Sequence, residues 1–310
     1  MRLLIGWILA ALSVIGFAST FVIGSALTRE CGVSPEVLSL LRFVIAGTVM
    51  LAVGMSTRSG RIALMSPTKA DWLKMAWLGP VGTSVMAWCV FMGCARVSAA
   101  NAAMADALTP LMIFAVAAVR AWRIEARQLV GLVCGLIGAL LVVQIVSTEG
   151  LALEAYTLGD VFVMLAAATW GFYTVYGREQ ITRFGSSAYT TWTMIIGAVF
   201  LGAVLFMLSV FTDAMHLVWP STMKAWSLVL ALGLVSTLLP FWTWNAAQKF
   251  LPMSVLGVSA YFTPVFAVAM ALVFLGERAT PLQWIGTVFI IASALVETGG
   301  KHPEESCGKE

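Results

Sequence analysis

Charge is scarce in this chain. Of 310 residues, 18 are Lys or Arg and 15 are Asp or Glu, so 11% carry a formal charge. A domain that lives in water carries roughly a quarter, which argues against a large soluble enzyme. The net charge of +3 is too small to imply a nucleic-acid partner. Histidine is nearly missing: His216 and His302 lie far apart, and the five cysteines form no CxxC pair. No metal-ligand spacing results, and no cofactor is expected. Cys89 and Cys94 share one apolar run and read as small buried residues. No GxxxxGK[ST] phosphate loop occurs, so energy from a nucleotide would need a partner chain. A membrane enzyme acting on lipid-borne substrates would need His, Asp, Glu or Ser gathered at one membrane face, and no such cluster appears.

Apolar residues fill the space that charge leaves. They make up 60% of the chain, and the mean hydropathy is +0.95. A membrane-crossing helix needs about 20 mostly apolar residues. Runs of that kind lie at roughly 3–25, 35–55, 72–93, 97–119, 128–147, 157–177, 187–211, 225–247, 252–275 and 280–298. The expected fold is an all-α membrane protein of ten transmembrane helices. The start resembles a secretory signal, with one Arg before an apolar run. That run continues to about Leu27, too long for a signal's core, and residues 1–27 are kept as the first span. The stretch 299–310 is polar and is expected to be a disordered tail.

The chain reads as one unit written twice. A shift of 154 residues carries Thr109-Pro110 onto Thr263-Pro264, Gly79 onto Gly233, Thr83 onto Thr237 and Trp88 onto Trp242. A shift of 155 carries Gly16-Phe17 onto Gly171-Phe172. The expected units are 1–148 and 149–298. Five spans is an odd number, so the second unit enters the membrane opposite to the first. Secondary transporters use such inverted repeats to expose one site to either side in turn. Chance similarity between apolar helices is the plain alternative, weakest for Thr-Pro and Trp recurring at one offset.

Loop cations set the orientation. With the N-terminus inside, Arg2, Arg58, Arg61, Lys69, Lys74, Arg120, Arg123, Arg127, Arg178, Arg183, Lys249, Lys301 and Lys309 share the inner side. Arg29, Arg96, Lys224 and Arg278 are left outside. Both termini are therefore expected in the cytoplasm.

Two ionisable residues lie well inside spans, where such groups usually face a cavity or a partner. Arg42 and Asp106 differ in depth by about 3 Å at 1.5 Å per helical residue, which makes them natural ion-pair partners. One reading is a locking salt bridge. The other is functional: Asp106 takes up a proton, giving proton coupling, or Arg42 meets an anionic group of a substrate. Thr109-Pro110 and Thr263-Pro264 fall about 20 and 18 Å into their spans. A proline there is expected to kink the helix and free a carbonyl four residues earlier, which suits a cavity wall. At the same level lie Trp88, Trp170, Tyr173, Tyr176, Trp242, Trp244, Asn245 and Tyr261, with Asn101 in the fourth span. Their rings and polar tips suit an amphipathic, aromatic or cationic solute, although plain packing and helix-to-helix hydrogen bonding account equally for any one of them. Gly131, Gly135 and Gly138 mark the fifth span as a close-packing helix.

The predicted pathway set is therefore Arg42, Trp88, Asn101, Asp106, Thr109, Pro110, Trp170, Tyr173, Trp242, Asn245, Tyr261, Thr263 and Pro264. These spans, with ALTPLMIFAVAAV against YFTPVFAVAMALVFLGE, the LLRFVIAG of the second span and the closing LGERATPLQWIGTVFIIASALV, resemble the EamA-type drug/metabolite transporter superfamily over nearly all of 1–298. The resemblance implies a multi-pass secondary carrier of the bacterial inner membrane, often an exporter of amino acids or related solutes. It also implies a central cavity lined by the first, third and fourth spans and their repeat mates, with the fifth and tenth spans peripheral. Arg42 stands at the family's RF position and Glu277 at its GE position. RAWRIEARQ in the first half lacks a GE step, and Ile15 stands where its repeat mate is Trp170. The expected function is export of small organic metabolites by alternating access without ATP; a passive channel and a membrane enzyme are the alternatives. Substrate, coupling ion and oligomeric state are not legible.

Overall fold

A buried backbone must satisfy its own polar groups, and in an apolar chain the helix does so within one segment. The computed structural model describes residues 2–96, 102, 106, 108–121, 126–142, 146–147, 150–151, 158–211, 217–275 and 281–298. They are almost entirely helical. The exception is a two-residue antiparallel pairing, Val146–Ser147 with Gly150–Leu151. Asn101, Glu277 and the tail 299–310 lie outside the described residues.

The first half begins with α1 (Arg2–Ser25), which runs on through a π-helical turn at Ala26–Glu30. It continues with α2 (Pro35–Ser56), α3 (Arg58–Met65) and α4 (Lys69–Gly79). A π-turn at Pro80–Val85 joins α4 to α5 (Met86–Arg96), followed by α6 (Thr109–Ala121) and α7 (Ala126–Val142). The second half has α8 (Leu158–Phe184), α9 (Ser186–Phe211), α10 (Met223–Gly233), a π-turn at Leu234–Leu238 and α11 (Leu239–Ala247). It ends with α12 (Met253–Ser259), α13 (Phe262–Leu275) and α14 (Pro281–Thr298). Among the described residues, five continuous helical stretches are long and apolar enough to cross a bilayer: Leu3–Glu30, Pro35–Ser56, Lys69–Arg96, Ser186–Phe211 and Met223–Ala247.

Local chemistry places the boundaries. Proline opens α2 at its first position, where no amide partner is lost. Thr68 caps α4 in a reciprocal box with Asp71, and Thr222 caps α10 through the Ala225 amide. Gly185, with φ of 98°, allows the one-residue turn between α8 and α9.

The packing exchanges elements between the halves. α1 packs on α11 and α13, while α8 packs on α5 and α6. α2 meets α10 and the π-turn at Leu234–Leu238; α9 meets α4 and the π-turn at Pro80–Val85. α7 and α14 lie along each other to one side. Their contact is close: a side chain on Gly138 would strike the carbonyl of Gly286, and one on Gly135 would lie 3.0 Å from Ser293 Oγ. The small-residue spacing of the fifth span thus serves close packing within the fold.

The Thr-Pro steps differ from the expected kinks. Thr109-Pro110 opens α6, and Pro264 lies in the first turn of α13, after a break at Ala260 and Tyr261. The helix stops and restarts because a proline is tolerated in a first turn, where its missing N–H leaves no gap. Nor is the Ala260 carbonyl left free. It accepts from the Thr263 amide at 3.0 Å, in a tight i to i+3 turn.

Candidate functional site

The break between α12 and α13 and the start of α6 meet across a cavity. Its walls are apolar on one side, with Val14 and Phe21 from α1 and Met86 and Val90 from α5. The polar groups are Thr20, Arg42, Asp106, Thr109 and Thr263. Phe17, Trp170 and Trp244 supply ring surface.

Arg42 is 1% exposed, a costly position for a cation unless its donors are used. Its Nε donates to Thr237 Oγ1 at 2.8 Å and its Nη2 to the Ser236 carbonyl at 3.3 Å. The guanidinium carbon also lies 5.0 Å from the Phe43 ring centre and 5.3 Å from that of Phe91, a favourable placement for a cation. The π-turn at Leu234–Leu238 makes the anchor available. Thr237 Oγ1 donates to the Leu232 carbonyl, five residues back, at 2.7 Å, and still accepts from Arg42. The Ser236 carbonyl, shared with Thr20 Oγ1 at 3.2 Å, faces outward from the same distorted turn. Arg42 uses no partner for Nη1 among the described residues.

Asp106 accepts from Thr109 Oγ1 at 2.9 Å. It lines the same cavity as Arg42, yet no ion pair joins the two among the described residues. The expected direct pairing is corrected: the π-turn of α10 and α11 holds the guanidinium instead, so both charges are presented to the cavity separately.

Below the cavity the rings close ranks. Trp170 stacks on Tyr173, centres 5.1 Å apart at 24°. Phe17, Phe241 and Trp244 surround it edge-on or tilted, with centres 5.1, 4.9 and 5.8 Å away.

The remaining predicted residues lie elsewhere. Tyr173 is buried one layer beneath the floor, where its hydroxyl accepts from Asn245 Nδ2 at 2.9 Å. Trp242 does not line the cavity. It is 37% exposed and donates to Ser187 Oγ at 2.9 Å; two residues along a helix reverse the facing direction, so Trp244 points inward in its place. Trp88 donates to Glu36 Oε1 at 3.1 Å and meets Phe162 edge-on. Tyr261 turns away toward α7, donating to the Leu132 carbonyl at 3.0 Å. Pro110 and Pro264 shape the backbone in the first turns of α6 and α13. Asn101 lies outside the described residues. Among the polar and aromatic residues of the lining, those outside the predicted set are Phe17, Thr20, Phe21 and Trp244. Trp244 carried a signal in PFWTWNAAQ, but nothing in the sequence separates it from Trp242 until the face of α11 is known.

One end of the bundle gathers charge. Arg183 pairs with the buried Asp71, and Lys74 Nζ meets Glu179 at 2.9 Å, with Arg120 at 3.8 Å. The hydrogen bond from Lys74 holds the Glu179 carboxyl below its ordinary value, helped by the charges of Lys74, Arg120 and Arg183. These are cations that the loop count assigned to one side.

The EamA-like transporter family model matches residues 4–144 and again 157–298. An uncharacterized transporter of Bacillus subtilis strain 168, YyaM, is 25% identical over 86% of this chain and 85% of its own. A probable terminal-alkyne amino-acid exporter of Streptantibioticus cattleyicolor is 26% identical over 87% and 86%. The threonine/homoserine exporter RhtA of Escherichia coli K12 is 29% identical over 45% of each chain. A protein known from its crystal structure superposes with a TM-score of 0.72 over 96% of both chains at 23% identity, a likeness of fold alone. On two successive matches that together span nearly its whole length, the chain belongs to the EamA-like transporter family.

Proposed function

We propose that this protein is a secondary exporter of small organic metabolites, amino acids or close relatives of them, that works by alternating access without ATP. The observation that carries the reading is the cavity itself. It presents a buried arginine and a half-buried aspartate separately, beside stacked rings and an apolar wall. A zwitterion with an apolar side chain matches all of these, its carboxylate toward Arg42 and its ammonium toward Asp106 or the ring faces. The exporters named above for amino acids support the substrate class.

The exchange of contacts between halves supports two inverted five-helix repeats, 1–148 and 149–298, and ten crossings. So do the π-turns at Pro80–Val85 and Leu234–Leu238, which recur at the same 154-residue shift as the sequence matches. The Trp88–Glu36 bond has its counterpart in Trp242–Ser187, each reaching the second residue of α2 or α9. Both termini are assigned to the cytoplasm on the loop cations, in a bacterial inner membrane.

Efflux from preloaded proteoliposomes tests the proposal. A panel of amino acids, amines and aromatic metabolites should yield saturable efflux of at least one amino acid in the absence of nucleotide. Flux that rises linearly with concentration would instead favour a passive channel. Proton coupling through Asp106 is a separable part: Asp106→Asn should abolish dependence of efflux on a pH gradient, and retained dependence removes that role.

A further inference from the structure

Beneath the Trp170 floor, three helices bury a polar cluster with no formal charge. Asn245 of α11 donates to Tyr173 on α8 at 2.9 Å and to Thr190 on α9 at 2.8 Å, and its carbonyl accepts from Gln248 Nε2 at 3.1 Å. Tyr173 also shares a hydrogen bond of 3.2 Å with Thr193. Asn245, with both N–H groups and its carbonyl in use, is explained as glue between helices.

Two further buried amides are not. Gln248 is 2% exposed, and its Oε1 has no partner among the described residues. Gln180 is fully buried two turns beyond Tyr173 on α8, and neither its Nε2 nor its Oε1 is bonded among the described residues. A buried amide with nothing to bond is less stable than an apolar side chain of the same size. Such groups are rare, and each calls for an explanation. Gln180 and Gln248 both lie toward the ends of their helices that meet at Gly185 and Lys249, where a side chain on Gly185 would contact Lys249 Nζ. That is the end of α8 that carries Glu179 and Arg183.

We infer that Gln248 and Gln180, at the ends of α11 and α8 beyond the Tyr173–Asn245 cluster, form a second, uncharged solute-binding station on the inner side of Trp170. It receives the polar end of a small hydrogen-bonding solute, an amino acid or an amide, when the Trp170–Tyr173 stack parts. The Gln180 amide and the Gln248 carbonyl oxygen, unbonded among the described residues, supply the donors and acceptors that the solute needs. A station of neutral dipoles holds a zwitterion less tightly than one with charged groups, which suits a transit point next to the charged cavity. The inference rests on the transporter reading above and adds the route between the cavity and the face that carries the chain ends.

Gln180→Leu separates this role from a structural one. The full chain carrying it should melt at a higher temperature, because an unbonded buried amide is gone. In proteoliposomes it should nevertheless move L-threonine or L-phenylalanine at least tenfold more slowly, with the half-saturating concentration at the charged cavity unchanged. A higher melting temperature with undiminished efflux overturns the station. Should Gln180→Leu not assemble, Gln248→Cys decides. A membrane-impermeant thiol reagent, its adduct located by mass spectrometry apart from the five native cysteines, should modify it from the face bearing the termini, and faster during amino-acid efflux than at rest. No adduct from either face, under conditions that modify Arg58→Cys, overturns the station while leaving the cavity intact. Wild-type protein that moves no amino acid overturns the transporter reading, and the station with it.

Discussion

Arg42 illustrates how an apolar fold keeps a charge. Two hydrogen bonds to one π-turn and two aromatic rings hold it, and on the proposed reading its remaining nitrogen meets the substrate. Lysine cannot reproduce this, since a single ammonium lacks the planar fork that reaches Thr237, Ser236 and a carboxylate together. Arg42→Lys should therefore raise the half-saturating concentration of a carboxylate-bearing substrate tenfold or more, about 1.4 kcal/mol. An unchanged value would mean that Arg42 meets no substrate carboxylate. Glu179 behaves in the opposite way, as a surface group. With about two-fifths of it and of Lys74 exposed, the pair contributes roughly 0–1 kcal/mol. Its carboxyl titrates below the ordinary 4.5 in the folded state, so its contribution is present above that value and is lost as the pH falls through the lowered one. Melting curves of Glu179→Gln should lie slightly below wild type at neutral pH and converge with it in acid. A gap that widens in acid would contradict the assignment.

At the scale of elements, the close approaches govern stability and the breaks shape the cavity. A side chain on Gly197 of α9 would collide with Thr83 Oγ1 in the π-turn at Pro80–Val85. Gly197→Ala should cost about 1–3 kcal/mol by overpacking, and Thr83→Ala in the same chain should recover part of that; thermal melts of the three variants check it. Tyr261 gives the complementary case. Tyr261→Phe removes one buried hydrogen bond to the Leu132 carbonyl, so it should lower stability by about 0.5–1.5 kcal/mol and leave transport kinetics unchanged. A kinetic effect would return Tyr261 to the pathway.

The same elements show what the sequence makes legible. Arg42, Asp106, Thr109, Trp170 and Thr263 were recognisable as cavity candidates because charge, proline and deep aromatics are rare in apolar helices. Trp242 and Tyr261 misled because depth in a span says nothing about which way a side chain faces. The π-turns are invisible in composition, so the partner of Arg42 was not foreseeable. Span position alone predicts bends at the proline steps, and the tight turn before Thr263 that lets a new helix begin leaves no mark in the sequence.

For the whole molecule, the apolar composition and the recurring residues already pointed to helices, a membrane and the EamA-like family. What they left open is whether both sides of the bilayer reach one cavity in turn. Counterflow measures this directly. Proteoliposomes preloaded with unlabelled amino acid and placed in a trace of the same labelled compound should accumulate label transiently above its outside concentration, and Arg42→Lys should reduce that overshoot. Label that only equilibrates, with no overshoot at any preload that wild-type protein can transport, would contradict a single cavity exposed alternately to the two sides.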